Sequence, residues 1–288
     1  MAKRTPAAGG AKRTVEDYAD DWESNAQLDA RFAILSDPAH NDGGWEDETE
    51  SFMASGEREI ARVMDHLSTQ GLAPLATRSA MDFGCGIGRL TNALGRRFDR
   101  AVGVDISPTM VAKATEHAIG DHVSFVVNQA DDLSCFEDDR FDFVYTNIVL
   151  QHVSNELQRR YLAEFCRVLA PGGLAVVQLP SVRRGLKGTV RRWLPDQVGQ
   201  AVRGALRPAA TLRREGYTIR MEMNCLPEAE VWSVVEANGA VVVATSYSNA
   251  AEADFNGELV FLDADGAWDR ARGGGYVSPV YVIRGCLA

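Results

Sequence analysis

Residues 81–90 have the sequence MDFGCGIGRL. Apolar residues and an acid lead into three alternating glycines, and apolar residues then recur at helical spacing from Arg89 to Phe98. This pattern predicts a strand, a tight glycine turn and a helix. Glycine adopts positive φ without a steric penalty and lets backbone N–H groups approach a ligand, and the following helix N-terminus adds a partial positive charge. The stretch therefore predicts a loop that binds a nucleotide-like ligand.

A second acidic residue follows at the distance that a βαβ unit requires. Residues 101–105 form a short apolar segment that ends in Asp105, about 20 residues beyond the first glycine, where a ribose-binding carboxylate is expected. Gly84, Gly86 and Gly88 follow the spacing G-x-G-x-G. A dinucleotide loop has the spacing G-x-G-x-x-G, with room for a pyrophosphate, and the arginine after the third glycine breaks that pattern. The spacing therefore disfavours a dinucleotide.

These motifs resemble those of the class I S-adenosylmethionine-dependent methyltransferases, in particular the branch that acts on small molecules. The resemblance covers residues 58–182 and the C-terminal strands. It implies an α/β fold: a Rossmann-like seven-stranded doubly wound sheet with an antiparallel last strand, an N-terminal helical arm and an inserted cap. It also implies S-adenosylmethionine as cofactor. The loop from Asp82 through Cys85 to Gly88 would hold the methionine end, Asp105 would bind both ribose hydroxyls, and the adjacent Ile106 would contact the cofactor.

Further cofactor contacts are expected after the third and fourth strands and near the start of the core. Gln129 occupies the position of the family's adenine-binding aspartate, and its carbonyl can accept from the adenine amino group. Ala130 would offer its backbone N–H to adenine N1, and Asp131 is the alternative partner of the amino group. Asn147 follows the fourth strand, at the edge where ligands bind in open parallel sheets. Arg58 is a candidate for pairing with the methionine carboxylate; the alternative is a solvated charge at a helix start.

One histidine lies just past the fourth strand, where the methyl group would be transferred. Transfer requires an acceptor in line with the sulfonium methyl group and, for a protonated hydroxyl or amine, removal of a proton. His152 is the candidate base, because an ordinary histidine pKa of about 6.5 suits that role at neutral pH. The alternative is a structural role, since a Leu-Gln-His-Val element recurs in the resembled family at a helix start.

This segment lacks the Asn-Pro-Pro-Tyr and Pro-Cys motifs of nucleobase methyltransferases, which disfavours nucleobase methylation. It also lacks a carboxylate cluster, which disfavours catalysis assisted by a metal ion.

The sequence divides into consecutive parts of different character. We predict a disordered basic tail at 1–14, a helical arm at 15–56, the S-adenosylmethionine-binding core at 57–182, a basic inserted cap at 183–215 and the C-terminal part of the core at 216–288. Helices are predicted over 15–35 and 57–67. Residues 183–214 carry nine arginine and lysine residues against the single acid Asp196. The cap is interpreted either as a lid or docking surface for an anionic substrate, or as a basic face paired with the chain's own acids.

Composition limits the class of protein. The chain has 288 residues, 45% hydrophobic and 24% charged, as in an ordinary soluble globular protein. Its net charge of −10 argues against a general nucleic-acid-binding protein. The 5 cysteines show neither disulfide-framework nor metal-site spacing, which favours a reducing, cytoplasmic location, and no apolar run is long enough to span a bilayer.

Three functions follow from these observations. The sequence favours a methyltransferase that acts on an oxygen or nitrogen of a small metabolite. If the basic cap binds this metabolite, it would be anionic or bound to a carrier protein. The second function is methylation of RNA or protein through the basic cap. The third is a noncatalytic module that binds S-adenosylmethionine. The sequence leaves the acceptor atom, the metabolite and the oligomeric state open, because specificity resides in the arm and the cap.

Overall fold

A computed structural model describes residues 13–35, 49–184, 210–214, 217–252, 255, 257–273 and 275–286. The helices in these ranges are α1 (Val15–Ile34), α2 (Thr49–Thr69), α3 (Arg89–Gly95), α4 (Pro108–Glu116), α5 (Asn155–Val168), α6 (Glu228–Ala237) and α7 (Ala264–Arg270). The strands are β1 (Ala80–Phe83), β2 (Ala101–Asp105), β3 (Val123–Val127), β4 (Phe141–Thr146), β5 (Leu169–Gln178), β6 (Val182–Arg183), β7 (Ala210–Arg214), β8 (Tyr217–Met221), β9 (Ala240–Ser248), β10 (Phe261–Leu262), β11 (Tyr276–Val277) and β12 (Pro279–Gly285). A short 3₁₀ turn covers Leu150–His152.

The central sheet has the strand order β10-β9-β12-β5-β4-β1-β2-β3. Strands β3, β2, β1, β4 and β5 are parallel to their neighbours, whereas β12 is antiparallel to both β5 and β9. The predicted doubly wound fold with an antiparallel last strand is confirmed. The sheet has 8 strands instead of the predicted seven, because the two-residue strand β10 pairs with the end of β9. The order reverses between β1 and β4, and ligands bind at the carboxyl ends of the strands at such a switch point.

The sheet is buried on both faces, which explains why its central strands are mostly apolar. Along β5, Leu174 and Val176 belong to one buried apolar cluster, and Ala175 and Val177 belong to the other. Alternate residues of a strand point to opposite faces, so each cluster fills one side of the sheet. Residues of α2 and α3 contribute to the first cluster, and residues of α5 and α6 contribute to the second.

The N-terminal helix α1 begins where a capping motif predicts it. The Thr14 side chain accepts a hydrogen bond from the Asp17 N–H, and the Asp17 carboxylate accepts from the Thr14 N–H, which completes a capping box. Arg13 forms an ion pair with Asp21 at 2.5 Å. The predicted tail at 1–14 is therefore too long by its last two residues, which belong to the start of α1; residues 1–12 lie outside the described part of the chain.

Helix α2 is longer than predicted. We expected it to begin near Glu57, after a glycine, but it begins at Thr49 and ends at Thr69. Gly56 lies inside the helix because the helix packs closely there: a Cβ atom at this position would be 2.3 Å from the Arg89 carbonyl oxygen. The glycine therefore allows α2 to contact the start of α3 and does not end a segment. The arm boundary placed at residue 56 falls inside this helix.

Most of the predicted basic cap at 183–215 lies outside the described residues, namely 185–209 and 215. The described part of the cap contains the end of β6, which pairs with β11, and β7, which pairs with β8 beyond the cap. The guanidinium of Arg183 lies 5.4 Å from the ring centroid of Tyr276, and that of Arg184 lies 4.9 Å from the ring of Trp268. Two of the cap's basic residues thus contact aromatic rings of this chain.

The contact at Gly56 gives a test in which two effects have opposite signs. Helix propensity alone predicts that Gly56→Ala stabilises the protein by about 0.5–1 kcal/mol, because alanine loses less backbone entropy. The clash with the Arg89 carbonyl predicts a loss of about 1–3 kcal/mol, the usual cost of overpacking. We expect the clash to dominate and the free energy of unfolding, measured by urea denaturation, to fall. A stabilised variant would contradict the packing described above.

Candidate active site

The glycine loop between β1 and α3 has the backbone conformation that its sequence predicts. Gly84, Gly86 and Gly88 have φ values of 78°, 53° and 86°, which L-residues with side chains rarely adopt. A Cβ atom at Gly84 would lie 2.3 Å from the Val149 side chain, and one at Gly86 would lie 2.5 Å from the Ile34 side chain. The loop therefore needs glycine both for its conformation and for its close contact with two neighbouring segments.

Two acidic residues, Asp105 and Asp82, hold this loop and the start of α3 in place through hydrogen bonds. The Gly86 N–H donates to Asp105 Oδ2 at 2.8 Å, and the Ser107 N–H donates to Oδ1 at 2.9 Å. Burial raises the pKa of Asp105, although these backbone hydrogen bonds oppose the shift. Asp82 accepts from Thr91 Oγ1 at 2.7 Å, and burial raises its pKa to about 7. Asp105 faces the cavity described next, whereas Asp82 lies beneath the loop and connects β1 to α3.

A cavity of about 950 Å³, its open mouth included, lies at the carboxyl ends of β1, β2 and β4. The predicted cofactor residues that line it are Gly84, Cys85, Gly86, Asp105, Ile106 and Asn147. The structure thus brings the glycine loop, the acid after β2 and the residue after β4 to one cavity at the switch point of the sheet.

The predicted adenine-binding residues lie beside this cavity and do not line it. Gln129 Nε2 donates to the Ile106 carbonyl at 3.2 Å, Tyr161 Oη donates to the Ala130 carbonyl at 2.8 Å, and Asp131 pairs with Arg160. All three predicted residues line a neighbouring groove between the starts of α1 and α5. Asn128 lines the main cavity instead, and it follows β3 directly.

Arg58 also lies away from the cavity. Its side chain is 48% exposed, and its Nε atom is 4.0 Å from Glu258. The next residue along α2, Glu59, is fully buried. Successive residues of a helix differ by about 100° in direction, so the two neighbours cannot share a face. The alternative reading of Arg58, as a charge exposed to solvent, describes its position in the structure.

Glu59 belongs to a buried cluster that the sequence analysis missed. Its carboxylate accepts from Arg89 Nη1 at 2.8 Å, from Tyr145 Oη at 2.8 Å and from Asn147 Nδ2 at 2.7 Å. Arg89 and Asn147 line the cavity. A sequence signal was available, because Phe52, Gly56, Glu59 and Val63 follow one helical stripe, and a carboxylate on an apolar stripe requires a partner.

Two polar atoms of this cluster have no hydrogen-bond partner among the described residues. They are the Arg89 Nε donor and the Asn147 Oδ1 acceptor, both buried on residues that line the cavity. Buried polar groups are normally hydrogen-bonded, so an unused donor and an unused acceptor on two cavity-lining residues suit a ligand that offers both a hydrogen-bond acceptor and a hydrogen-bond donor. The amino-acid end of S-adenosylmethionine has both. Together with the glycine loop and Asp105, this cluster shows that the residues present fit that cofactor.

Helix α1 covers the cavity with Tyr18, Trp22, Ala33 and Ile34. It is attached to the start of α4 through Glu23. The Glu23 carboxylate accepts from Ser107 Oγ at 2.6 Å, from Thr109 Oγ1 at 2.5 Å and from the Thr109 N–H at 3.1 Å. Partial burial alone would raise the pKa of Glu23, but these hydrogen bonds outweigh it and lower the pKa to about 2.

His152 is buried behind this helix. Its Nδ1 atom lies 2.7 Å from the Glu222 carbonyl, which only accepts, so Nδ1 carries a proton. Its ring packs edge-on against Trp22, with centroids 5.5 Å apart, and Trp22 lines the cavity. Burial lowers the pKa of His152 to about 4, so the imidazole is neutral at pH 7.

Ile148 has a strained backbone at the edge of the cavity. Its φ is +60°, in the left-handed region that β-branched residues avoid, at a cost of about 1–3 kcal/mol. Nothing in the sequence indicates this conformation, because isoleucine ordinarily has negative φ. Ile148 and the next residue, Val149, both line the cavity.

The strand order, the glycine loop and the acid after β2 are those of the fold of class I S-adenosylmethionine-dependent methyltransferases. Residues 81–177 match the family model described as a methyltransferase domain. S-adenosylmethionine is the cofactor of this domain.

Among curated relatives, the chain is 34% identical over 146 residues to the demethylmenaquinone methyltransferase of Clavibacter sepedonicus, a match that covers 48% of this chain and 57% of that protein. It is 37% identical over 110 residues to the trans-aconitate 2-methyltransferase of Methylobacterium nodulans, covering 37% and 40% of the two chains. Each match thus covers less than two thirds of the relative's length. A methyltransferase structure from Methanosarcina mazei shares the fold with a TM-score of 0.53 at 19% identity, covering 75% of this chain and 96% of that one.

The described part of the chain contains neither a membrane-spanning helix nor a cluster of metal ligands. None of its helices is long and apolar enough to cross a membrane. Within the same residues, no group of three or more His, Cys, Asp or Glu side chains is arranged to hold a metal ion.

The attachment of α1 through Glu23 predicts a pH-dependent contribution to stability. We expect Glu23→Gln to lower the free energy of unfolding at pH 7 by about 1–3 kcal/mol, the usual worth of hydrogen bonds to a charged group. Because the folded pKa lies below the ordinary value, this contribution is fully present above about pH 4.5 and is lost as the pH falls towards 2. The difference between the two proteins, measured by urea denaturation from pH 7 downwards, should therefore shrink below pH 4.5.

Asp20→Asn provides the matched control, because Asp20 lies on the exposed side of the same helix. Its effect should stay within about 0.5 kcal/mol, as for ordinary surface substitutions. An equal loss in both variants would show that helix α1 responds to charge in general and not to the Glu23 contact.

Proposed function

We propose that this protein is an enzyme that transfers the methyl group of S-adenosylmethionine to an oxygen or nitrogen of a small metabolite. The observation that carries the proposal is the cavity at the strand switch point, formed by the glycine loop, Asp105 and Asn147 and covered by α1. A covered cavity suits an acceptor that enters whole. The relatives named above carry small-molecule acceptors in their names, a quinone precursor and trans-aconitate, which supports the same class of acceptor here.

The cofactor would be held by residues of this chain with distinct roles. The carboxylate of Asp105 offers lone pairs to ribose hydroxyls, and Ile106 supplies an apolar wall beside it. We propose that Arg89 pairs with the carboxylate of the methionine end and that Asn147 Oδ1 accepts from its ammonium group, since these two buried atoms lack partners. Gln129, Ala130 and Asp131 remain candidates for adenine contacts from the neighbouring groove. When bound, S-adenosylmethionine supplies an activated methyl group on a sulfonium.

The chain's own residues would then orient the acceptor and exclude water. Tyr18 and Trp22 on α1 and Ile148 and Val149 after β4 form an aromatic and aliphatic wall of the cavity. The flat or aliphatic part of an acceptor can pack against this wall, which orients its nucleophilic atom towards the methyl group. The basic segment at 183–215 favours acceptors that are negatively charged or bound to an acidic carrier protein, because its excess of arginine attracts negative charge.

His152 remains our candidate for the general base. Its imidazole is neutral, with the proton on Nδ1, so the basic site is the Nε2 lone pair, which lies 3.4 Å from the Gln151 Nε2 donor. The low pKa makes it a weak base, and its ring packs against Trp22, which lines the cavity. The alternative role is structural: His152 holds the segment that begins at Glu222 against the turn after β4.

The function is tested by incubating the purified full chain with S-adenosylmethionine carrying a tritiated methyl group. The acceptor panel consists of quinols, small dicarboxylates, phosphorylated amines, carrier-bound acyl groups and bulk RNA. We expect transfer to one of the small molecules. Transfer to RNA would favour methylation of a macromolecule, and tight binding of S-adenosylhomocysteine without transfer to any acceptor would favour a noncatalytic module.

The role of His152 is tested with the acceptor that this panel identifies. If it is the base, His152→Ala should slow turnover at least about 100-fold, the lower range for general base catalysis, while the affinity for S-adenosylhomocysteine stays within about twofold. His117→Ala, at the end of α4, is the control and should change neither quantity. A loss of turnover below about tenfold would assign His152 the structural role.

The role of Arg89 is tested by binding alone. Removing Arg89 by itself would leave Glu59 buried and unpaired, so the pair is replaced together as Glu59→Gln with Arg89→Met. We expect the affinity for S-adenosylhomocysteine, measured by calorimetry, to fall at least about tenfold. The affinity for 5′-methylthioadenosine, which lacks the amino-acid end, should stay within about threefold.

The control for this experiment lies in the same interface between α2 and α3. Arg97 pairs with Glu57 at 3.1 Å, and neither residue lines the cavity. Glu57→Gln with Arg97→Met should leave both affinities unchanged. Equal losses of both ligands in the Glu59 and Arg89 variant would contradict the assigned role.

A further inference from the structure

The segment after β4 reaches the cavity through one unusual residue. Ile148 has a φ of +60°, whereas β-branched side chains are restricted mainly to negative φ. The next residue, Val149, packs so closely on the glycine loop that a Cβ atom at Gly84 would lie 2.3 Å from it. The left-handed conformation of Ile148 therefore directs the chain so that the next residue, Val149, contacts the glycine loop.

A buried glutamine meets Ile148 at its backbone. Gln178 is the last residue of β5 and is 2% exposed. Its Oε1 atom accepts from the Ile148 N–H at 2.8 Å. Because a backbone N–H can only donate, this contact fixes which end of the amide faces Ile148.

The other end of the amide is occupied as well. Gln178 Nε2 donates to Ser278 Oγ at 2.8 Å and to Gln151 Oε1 at 3.3 Å. Ser278 lies just before β12, and Gln151 lies in the 3₁₀ turn after β4, and both are buried. The amide is thus held by two elements and cannot follow Ile148 if that residue changes its backbone conformation.

Relaxing Ile148 to negative φ would therefore have two consequences. Its N–H would turn away from Gln178, which leaves a buried donor and a buried acceptor unpaired. Val149 would also lose its position against Gly84. The hydrogen bond to Gln178 opposes both changes and compensates for the strain.

We propose that Gln178 is a positioning residue of the cofactor cavity. It holds Ile148 in the left-handed conformation, and through Ile148 it keeps Val149 packed on Gly84 and the cavity in the shape that receives S-adenosylmethionine. Gln178 itself does not line the cavity. The inference concerns the cofactor and not the acceptor, so its test needs no acceptor and is independent of the function proposed above.

The test is a binding cycle with S-adenosylhomocysteine, measured by calorimetry on the full chain. Gln178→Met keeps the size of the side chain and removes both hydrogen-bonding groups. We expect it to weaken binding at least about tenfold. In the Ile148→Gly background the same substitution should change the affinity less than about threefold, because glycine adopts positive φ without help from Gln178.

Two outcomes of this cycle would overturn the proposal. One is an affinity of Gln178→Met within about twofold of the unchanged protein. The other is an equal loss on Gln178→Met with isoleucine and with glycine at position 148, which would mean that Gln178 supports the fold in general.

A matched control addresses strain itself. Asp139 also has positive φ, at 57°, but it lies in the turn before β4 and does not line the cavity. Adding Asp139→Gly should change the affinity for S-adenosylhomocysteine by less than about twofold, both in the otherwise unchanged protein and relative to the Gln178→Met variant. Recovery of binding by Asp139→Gly in the Gln178→Met background would contradict the local coupling proposed here.

A measurement on the unchanged protein covers the case in which Gln178→Met does not fold. The Ile148 amide should exchange with solvent at least about 100-fold more slowly than in an unstructured peptide, since its hydrogen bond is buried. Exchange at the unstructured rate would overturn the proposal without any variant.

Discussion

The buried pair of Glu59 and Arg89 is the interaction on which the site depends. Glu59 is fully buried, and its three hydrogen bonds come from α3, from β4 and from the residue after β4. Burying a carboxylate is compensated only by partners with good geometry, and losing one partner typically costs about 3–5 kcal/mol. The pair therefore fixes the distance between α2, α3 and β4, and it leaves Arg89 Nε and Asn147 Oδ1 available at the cavity.

Helix α1, which covers the cavity, is also attached through carboxylates that accept several hydrogen bonds. Glu23 binds the start of α4, and the Glu222 carboxylate accepts from Arg13 at 3.2 Å and from Tyr18 Oη at 3.1 Å. Helix α1 is thereby joined to the start of α4 near its middle and to the segment that follows β8 at its N-terminal end. These anionic contacts hold the cover of the cavity in addition to the apolar packing of α1 on the core.

Some of the site could be predicted because its signals are local. Positive φ at Gly84, Gly86 and Gly88 follows from the residue type, and the acid after β2 follows from its spacing. The direction in which a side chain points has no such local signal. Arg58 and Glu59 are neighbours in sequence but lie on different faces of α2, and Gln129 lies in the neighbouring groove while Asn128 faces the cavity. Gly56 was interpreted as the start of a helix because its contact partner, Arg89, is 33 residues away in the chain.

By itself, the sequence determined the doubly wound sheet, its antiparallel last strand and the loop that receives the cofactor. The loop follows from residue type and spacing within one βαβ unit, which are encoded over short stretches, and the sheet with its antiparallel last strand follows from the resemblance of these motifs to a known family. The tertiary structure alone decided which polar atoms meet at the cavity: Glu59 with Arg89 and Asn147, and Gln178 with the strained Ile148. Such pairs join elements far apart in the chain, and a hydrogen bond depends on distances of tenths of an ångström that only packing of the whole sheet and its helices sets.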